Sequence, residues 1–150
     1  MDNSKHRPAQ QELDRFLQSI PDRMRELFET VHYDDALKKL ENAENPTPAW
    51  IASQLRSLRV KARTIRAAVS EMAETTETLL SRYVDEGGTD ALRIAHAREE
   101  LLFLRKTLED QDVQTARLEQ LGQNTALLRE QKDRLDALEV EQFRRKFGKP

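Results

Sequence analysis

A heptad repeat in the middle of the sequence constrains the fold more than any other feature. Residues recur there at alternating spacings of four and three, and nine of the ten are apolar or aromatic: Ile51, Leu55, Leu58, Ala62, Ile65, Val69, Met72, Thr76, Leu79 and Tyr83. A stripe with this 3.5-residue period keeps one narrow face of a helix against a partner helix, as in a left-handed coiled coil. We therefore predict a long helix that is capped by Thr47 and ends at Gly87 and Gly88.

The residues after the two glycines predict the partner helix. The same spacing continues at Ile94, Ala97, Leu101, Leu104 and Leu108. A two-glycine loop between long helices favours an antiparallel hairpin, in which position i lies opposite roughly residue 175 − i. The charges agree: net charge runs from +5 to −4 along residues 48–86 and from +2 to −3 along residues 91–121. Antiparallel packing sets opposite signs side by side and brings Arg63 and Arg66 near residues 109–112.

Prolines and glycines divide the rest of the chain, and the predicted class is all-α. The predicted segments are a disordered N-terminus (1–7), kinked N-terminal helices (8–46), an antiparallel coiled-coil helical hairpin (47–122, with its turn at 87–88) and a C-terminal helix that extends past the hairpin (123–150). Pro21 predicts a kink, with Ser19 capping the piece that follows. We expect the short N-terminal helices to pack on the overhanging C-terminal helix, with Trp50 filling the junction.

Composition argues against several functional classes. There is no cysteine, so disulfides, thiolate metal sites and a cysteine nucleophile are excluded. The mean hydropathy of −0.80 argues against a membrane span. The sequence contains no phosphate-binding loop, no catalytic serine motif and no cluster of histidines. We therefore expect a cytoplasmic protein without integral membrane association, enzymatic activity, a metal site or a cofactor.

The C-terminal segment supplies the candidate partner-binding residues Leu135, Leu138, Phe143 and Phe147. The two phenylalanines stand one turn apart beside a run of three basic residues, which makes an amphipathic end able to dock into a partner. The slightly favoured interpretation, however, packs these phenylalanines against Phe16 and Phe28 in the N-terminal helices. Because both apolar stripes are interrupted, we also expect self-association through this end, most simply as a homodimer.

A row of arginines on the first long helix has two interpretations. Arg56, Arg59, Arg63 and Arg66 are spaced by three, four and three residues, so they line one flank. The favoured interpretation is pairing with acidic residues of the second long helix. The alternative is polyanion binding, which would make the protein a nucleic-acid-binding accessory, although no aromatic residue interleaves the row for base stacking.

The resulting functional hypothesis is a non-enzymatic coiled-coil interaction protein. It would act as a scaffold, adaptor or chaperone-like component of a larger assembly, with protein partners whose identity the residues do not specify. In outline, a long antiparallel hairpin with a charged C-terminal helix in about 150 residues resembles the small stalk and chaperone proteins of flagellar and type III export. This likeness is one of shape and implies no particular site residues.

Overall fold

The computed structural model describes residues 7–147, which form four α-helices. They are α1 (Arg7–Val31), α2 (Tyr33–Glu41), α3 (Pro48–Asp85) and α4 (Ala91–Phe147). No strand occurs within this described range, so the predicted all-α class is confirmed. The disordered N-terminus predicted for 1–7 lies outside the described residues except at position 7, where α1 begins, and so do the last three residues of the predicted segment 123–150.

Helix α3 begins as its sequence predicts. Thr47 has an extended backbone, and its hydroxyl accepts a hydrogen bond from the Trp50 N–H at 3.2 Å. Pro48 occupies the first turn, where a missing N–H leaves no hydrogen bond unmade. Together the two residues fix the start of α3.

The turn between α3 and α4 is built on two glycines and one tyrosine. Gly87 has φ of 94° and donates to the Val84 carbonyl, while Gly88 donates to the Tyr83 carbonyl, which is the hydrogen-bond pattern of a Schellman motif. The Tyr83 ring lies against Gly88, and its hydroxyl accepts from the Asp90 N–H at 3.1 Å. The Asp90 carboxylate in turn accepts from backbone N–H groups of the first turn of α4. Tyr83 thus ties the end of α3 to the start of α4.

Helices α3 and α4 pack side by side in opposite directions. Arg59 pairs with Glu119 at 2.7 Å, and Arg66 pairs with Asp112 at 2.6 Å. In each case the partner lies three residues further along α4 than the sequence predicts, because the turn occupies residues 86–90. The buried residues of the contact come from the heptad positions of both helices: Leu55, Leu58, Ala62, Ile65, Val69, Met72, Thr76, Ala97, Leu101, Leu104 and Leu118.

The N-terminal helices do not pack on the overhanging C-terminal helix, so that prediction is wrong. Helix α1 lies antiparallel along α3: Glu12 pairs with Arg82 near the turn, and Lys61 donates to the Val31 carbonyl at 2.6 Å. Helix α2 continues along α3 and makes no contact with α4. The physical reason is that α3 has a broader apolar face than its heptads suggest, because Ala73 is buried beside them.

Trp50, Pro21 and Ser19 also depart from the sequence prediction. We call residues 7–125 the body, because all of the buried side chains of the described chain lie in it. Trp50 is half-buried against the main core, so it does not fill a junction between the N-terminal helices and the overhanging C-terminal helix. Pro21 lies inside a continuous α1, so the helix does not restart there. The Ser19 hydroxyl donates to the Phe16 carbonyl at 2.7 Å and therefore does not cap a second piece.

Helix α4 is 57 residues long and passes through Gly122 without a break. Gly122 faces the Arg59 and Leu55 side chains, where α3 and α4 come close together. The last buried residue of α4 is Thr125, whose hydroxyl donates to the Leu121 carbonyl. Beyond Thr125, every described residue of α4 is exposed.

Candidate functional site

The most distinctive surface is the exposed end of α4, residues 126–147, which we call the arm. Every residue of the arm is exposed, and at 1.5 Å per residue its 22 residues span roughly 33 Å. The four predicted partner-binding residues all lie on it. Leu135, Leu138, Phe143 and Phe147 are 60%, 52%, 63% and 70% exposed. The alternative in which the phenylalanines pack against the N-terminal helices is wrong, because Phe16 and Phe28 pack on the main core.

The apolar side chains of the arm do not form one surface. Leu138 and Phe147 are nine residues apart, which is two and a half helical turns, so they point to opposite sides of the helix. We distinguish two groups of exposed side chains on this end of α4. The leucine stripe consists of Leu121, Leu127, Leu128, Leu135 and Leu138, and the phenylalanine patch consists of Val140, Phe143 and Phe147. The sequence prediction placed two residues of each group in a single site.

The phenylalanine patch is the more compact of the two groups. The rings of Phe143 and Phe147 lie one turn apart, with centroids 5.1 Å from each other and planes inclined by 46°, and three basic residues occupy the same last turn. Cationic side chains at a helix C-terminus interact favourably with the helix dipole. The patch therefore presents two adjacent aromatic rings inside a basic rim.

The leucine stripe has heptad spacing of its own. Leu121, Leu128 and Leu135 are seven residues apart, and Leu138 follows three residues later. Leu121 and Leu128 lie three to four residues from Leu118 and Thr125, at the edge of the face that is buried toward α3, whereas Leu135 and Leu138 lie beyond the last buried residue. Leu127 was not among the residues that the sequence pointed out, and the signal that finds it is its position eleven residues before Leu138, which places the two nearly in line along the helix.

The arginine row of α3 is divided between two environments. Arg59 and Arg66 bind α4 carboxylates, as the favoured interpretation expects. Arg56 and Arg63 are exposed, and no described residue places a carboxylate oxygen within 4 Å of either guanidinium. Arg56 lines a groove of about 380 Å³ at the foot of α3 together with Arg129 and the acidic residues Glu130 and Asp133. The groove is of mixed charge rather than a continuous basic surface.

A cluster of charged side chains fixes the upper end of the body. Arg93 donates two hydrogen bonds to the Asp14 carboxylate, at 2.8 and 3.1 Å, and one to Asp90 at 2.9 Å. The Arg93 guanidinium lies over the Tyr83 ring, 5.7 Å from its centroid. These contacts, led by the hydrogen bond to Asp14, raise the pKa of Arg93 above its ordinary value. The cluster joins α1, α3 and α4, and its hydrogen bonds hold these helices together.

A second groove runs between α1 and α3 on the side away from α4. Its volume is about 380 Å³, and its floor includes Phe16, Leu27 and Met72. The Arg23 guanidinium covers the Phe16 ring at 5.0 Å from its centroid. In the described part of the chain, no three histidine, cysteine or acidic side chains come together in a way that would hold a metal ion. Residues 7–147 likewise include no helix with the length and apolar content to cross a membrane.

Comparison of the chain with protein-family models, with curated proteins and with solved structures finds no match.

Proposed function

We propose that the protein is a non-enzymatic interaction protein, in which α3 and α4 form a coiled-coil stem and the arm binds protein partners. In this role it is a scaffold, adaptor or chaperone-like component of a larger assembly. The observation that carries the proposal is the exposure of every residue of the arm together with eight large apolar side chains at this end of α4. Exposed apolar surface of this extent marks an interaction site in a folded protein.

The contrast between the arm and the body supports the proposal. The rest of the described chain buries its own heptad residues, and ion pairs within it join α1 to α3, α1 to α4 and α3 to α4. Among residues 7–147, the ion pairs of the arm lie within the arm itself, from Arg134 to Glu130 and from Arg145 to Glu141. An amphipathic helix that is free of its own domain is suited to lie in a groove of a partner or against a partner helix.

Site-specific photo-cross-linking in the native cell tests this function. A photoreactive phenylalanine analogue replaces Phe143 in the phenylalanine patch, and the matched control replaces Val60, an exposed apolar residue of α3. The proposal predicts cross-linked protein adducts from position 143 that are absent or much weaker from position 60. Equal labelling at both positions, or no protein adduct from position 143, would contradict it.

A nucleic-acid-binding accessory role is the second candidate, and it is favoured by two arginines that have no carboxylate partner in the described part of the chain. Arg59 and Arg66 are engaged by carboxylates, whereas Arg56 and Arg63 are exposed. Two exposed arginines supply little affinity, and the net charge of −2 adds no long-range attraction. A titration of random duplex DNA at several salt concentrations decides: micromolar affinity that falls steeply with salt and is lost in Arg56→Glu/Arg63→Glu would replace the adaptor role with this one.

A further inference from the structure

The leucine stripe has the spacing of a second coiled-coil seam that nothing in the described chain covers. With Leu121, Leu128 and Leu135 at the a positions, Asn124, Gln131 and Leu138 fall at the d positions. Residues 121–141 thus make three heptads in which four of the six core positions are leucine. Leu127, at a g position, widens the apolar face. This length is the minimum at which heptads reliably indicate a coiled coil.

We propose that the leucine stripe pairs with the same stripe of a second copy of this chain, in parallel and in register. The inference rests on the proposed function, since it names one occupant for part of the arm. In parallel dimers, the g position of one helix meets the e position five residues later on its partner. Here that rule pairs Arg134 with Glu139 of the second copy and Glu141 with Lys146 of the second copy. The two-fold axis repeats each pair. The Arg134 pair lies within the three heptads, whereas the Glu141 pair lies just past them, where the next core positions are Gln142 and Arg145.

Each antiparallel arrangement leaves core leucines unmatched. The register that places Leu121 opposite Leu138 sets Leu128 against Gln131, and it leaves Arg134 beside Leu127 and Glu141 beside Gln120, so no opposite charges meet. A second register joins Arg134 to Glu141 and Leu135 to Leu138, but it places Leu128 opposite Arg145 and leaves Leu121 beyond the end of the partner helix. Of these arrangements, only parallel pairing in register matches all four core leucines with leucine while joining opposite charges.

The polar core positions support the same register. Asn124 and Gln131 each meet their own copy across the two-fold axis, where an amide both donates and accepts. Polar residues at core positions commonly fix the register of a coiled coil at some cost in stability. The local ion pairs of Arg134 with Glu130 and of Glu141 with Arg145 are exposed, so they yield to the partner at little cost.

The geometry of α4 leaves room for the second copy. Leu121 and Leu128 lie four and three residues from Thr125, at the edge of the face that is buried toward α3, but every described residue of α4 after Thr125 is exposed. Helix α3 therefore borders the start of the stripe and leaves it open from Leu127 onward. Pairing covers the leucine stripe but leaves Phe143 and Phe147 at outer positions of the heptad. A paired arm thus keeps its phenylalanine patch open to a different protein.

Because the chain contains no cysteine, disulfide cross-linking reads the pairing directly. We expect full-length Leu128→Cys to form disulfide-linked dimers under mild oxidation at micromolar concentration. The matched control is Ala126→Cys, which lies on the outer face of the same heptad. Equal cross-linking at both positions would overturn the proposal. Linkage of Leu128→Cys only to Gln131→Cys chains, and not to itself, would also overturn it in favour of antiparallel pairs.

A charge exchange supplies the second test. Sedimentation equilibrium should show dimer dissociation constants raised about fivefold in Arg134→Glu and in Glu139→Arg, and restored in the double variant. Restoration is specific to parallel pairing, because the charged antiparallel register would place like charges together in the double variant. Unmodified chain that stays monomeric at high micromolar concentration would contradict the pairing alone. Dimers without protein cross-links from position 143 would contradict the adaptor function alone.

Discussion

Replacing Gly88 by alanine is expected to loosen the turn between α3 and α4. A Cβ atom at this position would lie 2.3 Å from the nearest atom of the Tyr83 ring, closer than any real contact. The ring is only 3% exposed and is held by Asp90 and Arg93, so it has little freedom to move away. Overpacking costs about 1–3 kcal/mol, and loss of the tyrosine hydrogen bond adds about 1 kcal/mol. We predict that Gly88→Ala lowers the free energy of unfolding by about 2–4 kcal/mol.

Urea denaturation followed by circular dichroism measures the effect, and two controls isolate its cause. Gly87→Ala places a side chain at φ of 94°, where the backbone strain costs about 1–2 kcal/mol without touching the ring. In a Tyr83→Leu background, Gly88→Ala should cost much less than in the native chain, because the clash has been removed. An unchanged cost in that background would refute the explanation through Tyr83.

The remaining predictions concern the two tyrosines and the arginine at the turn. The buried Tyr33 hydroxyl has no hydrogen-bond partner among the described residues, so Tyr33→Phe should leave the free energy of unfolding unchanged or raise it by up to about 1 kcal/mol. The Tyr83 hydroxyl accepts a hydrogen bond, so Tyr83→Phe should lower the free energy of unfolding by about 1 kcal/mol. Urea titrations compare the two variants. Burial raises the pKa of Tyr33 above 10.0, so the stability held by its neutral form is fully present below pH 10 and is lost as pH rises toward the folded-state pKa. Alkaline unfolding should therefore be less steep in Tyr33→Phe, and an identical slope would refute this. Arg93, whose side chain is 19% exposed, binds Asp14 through two nitrogens, so Arg93→Lys should cost about 1–2 kcal/mol in the same assay, and a loss below about 0.3 kcal/mol would show that the paired geometry is unimportant.

The sequence predicted the elements of the fold better than their arrangement. The heptads of α3, its cap at Thr47 and its end at Gly87 are local signals, and each is present in the structure. The charge pattern also anticipated the ion pair of Arg66 with Asp112. These features depend on residues close in sequence or on one pairing of two neighbouring helices.

The position of α1 depends on long-range contacts that periodicity does not encode. An amphipathic stripe indicates that a helix packs against an apolar surface, but it does not indicate which of two available surfaces the helix covers. Helix α1 covers the broader apolar face of α3, and two ion pairs that accompany this packing, Glu12 with Arg82 and Asp14 with Arg93, each join residues about 70 to 80 positions apart. The heptad pattern of α3 indicates only one narrow face, so it does not predict that α1 packs there rather than on the arm.

The sequence predicted where the candidate site lies, but not that its residues fall into a leucine stripe and a phenylalanine patch. The sequence assigns Leu135, Leu138, Phe143 and Phe147 to one site because they are apolar residues of the overhanging C-terminal helix. Their separation into two faces follows from helical geometry, but only once α4 is a continuous helix through Gly122. The sequence left that continuity open, since glycine weakens a helix without necessarily ending it.

Hydrogen exchange of the full-length chain tests most directly whether the arm is uncovered by its own chain and is available for association. At submicromolar concentration, backbone amides of residues 126–141 should exchange much faster than those of residues 97–118, which lie in the buried contact with α3. As the concentration rises, protection should increase through residues 126–141 and stay constant through residues 97–118. Protection of the arm equal to that of residues 97–118 at the lowest concentration would contradict the account, because it would mean that the chain covers its own arm.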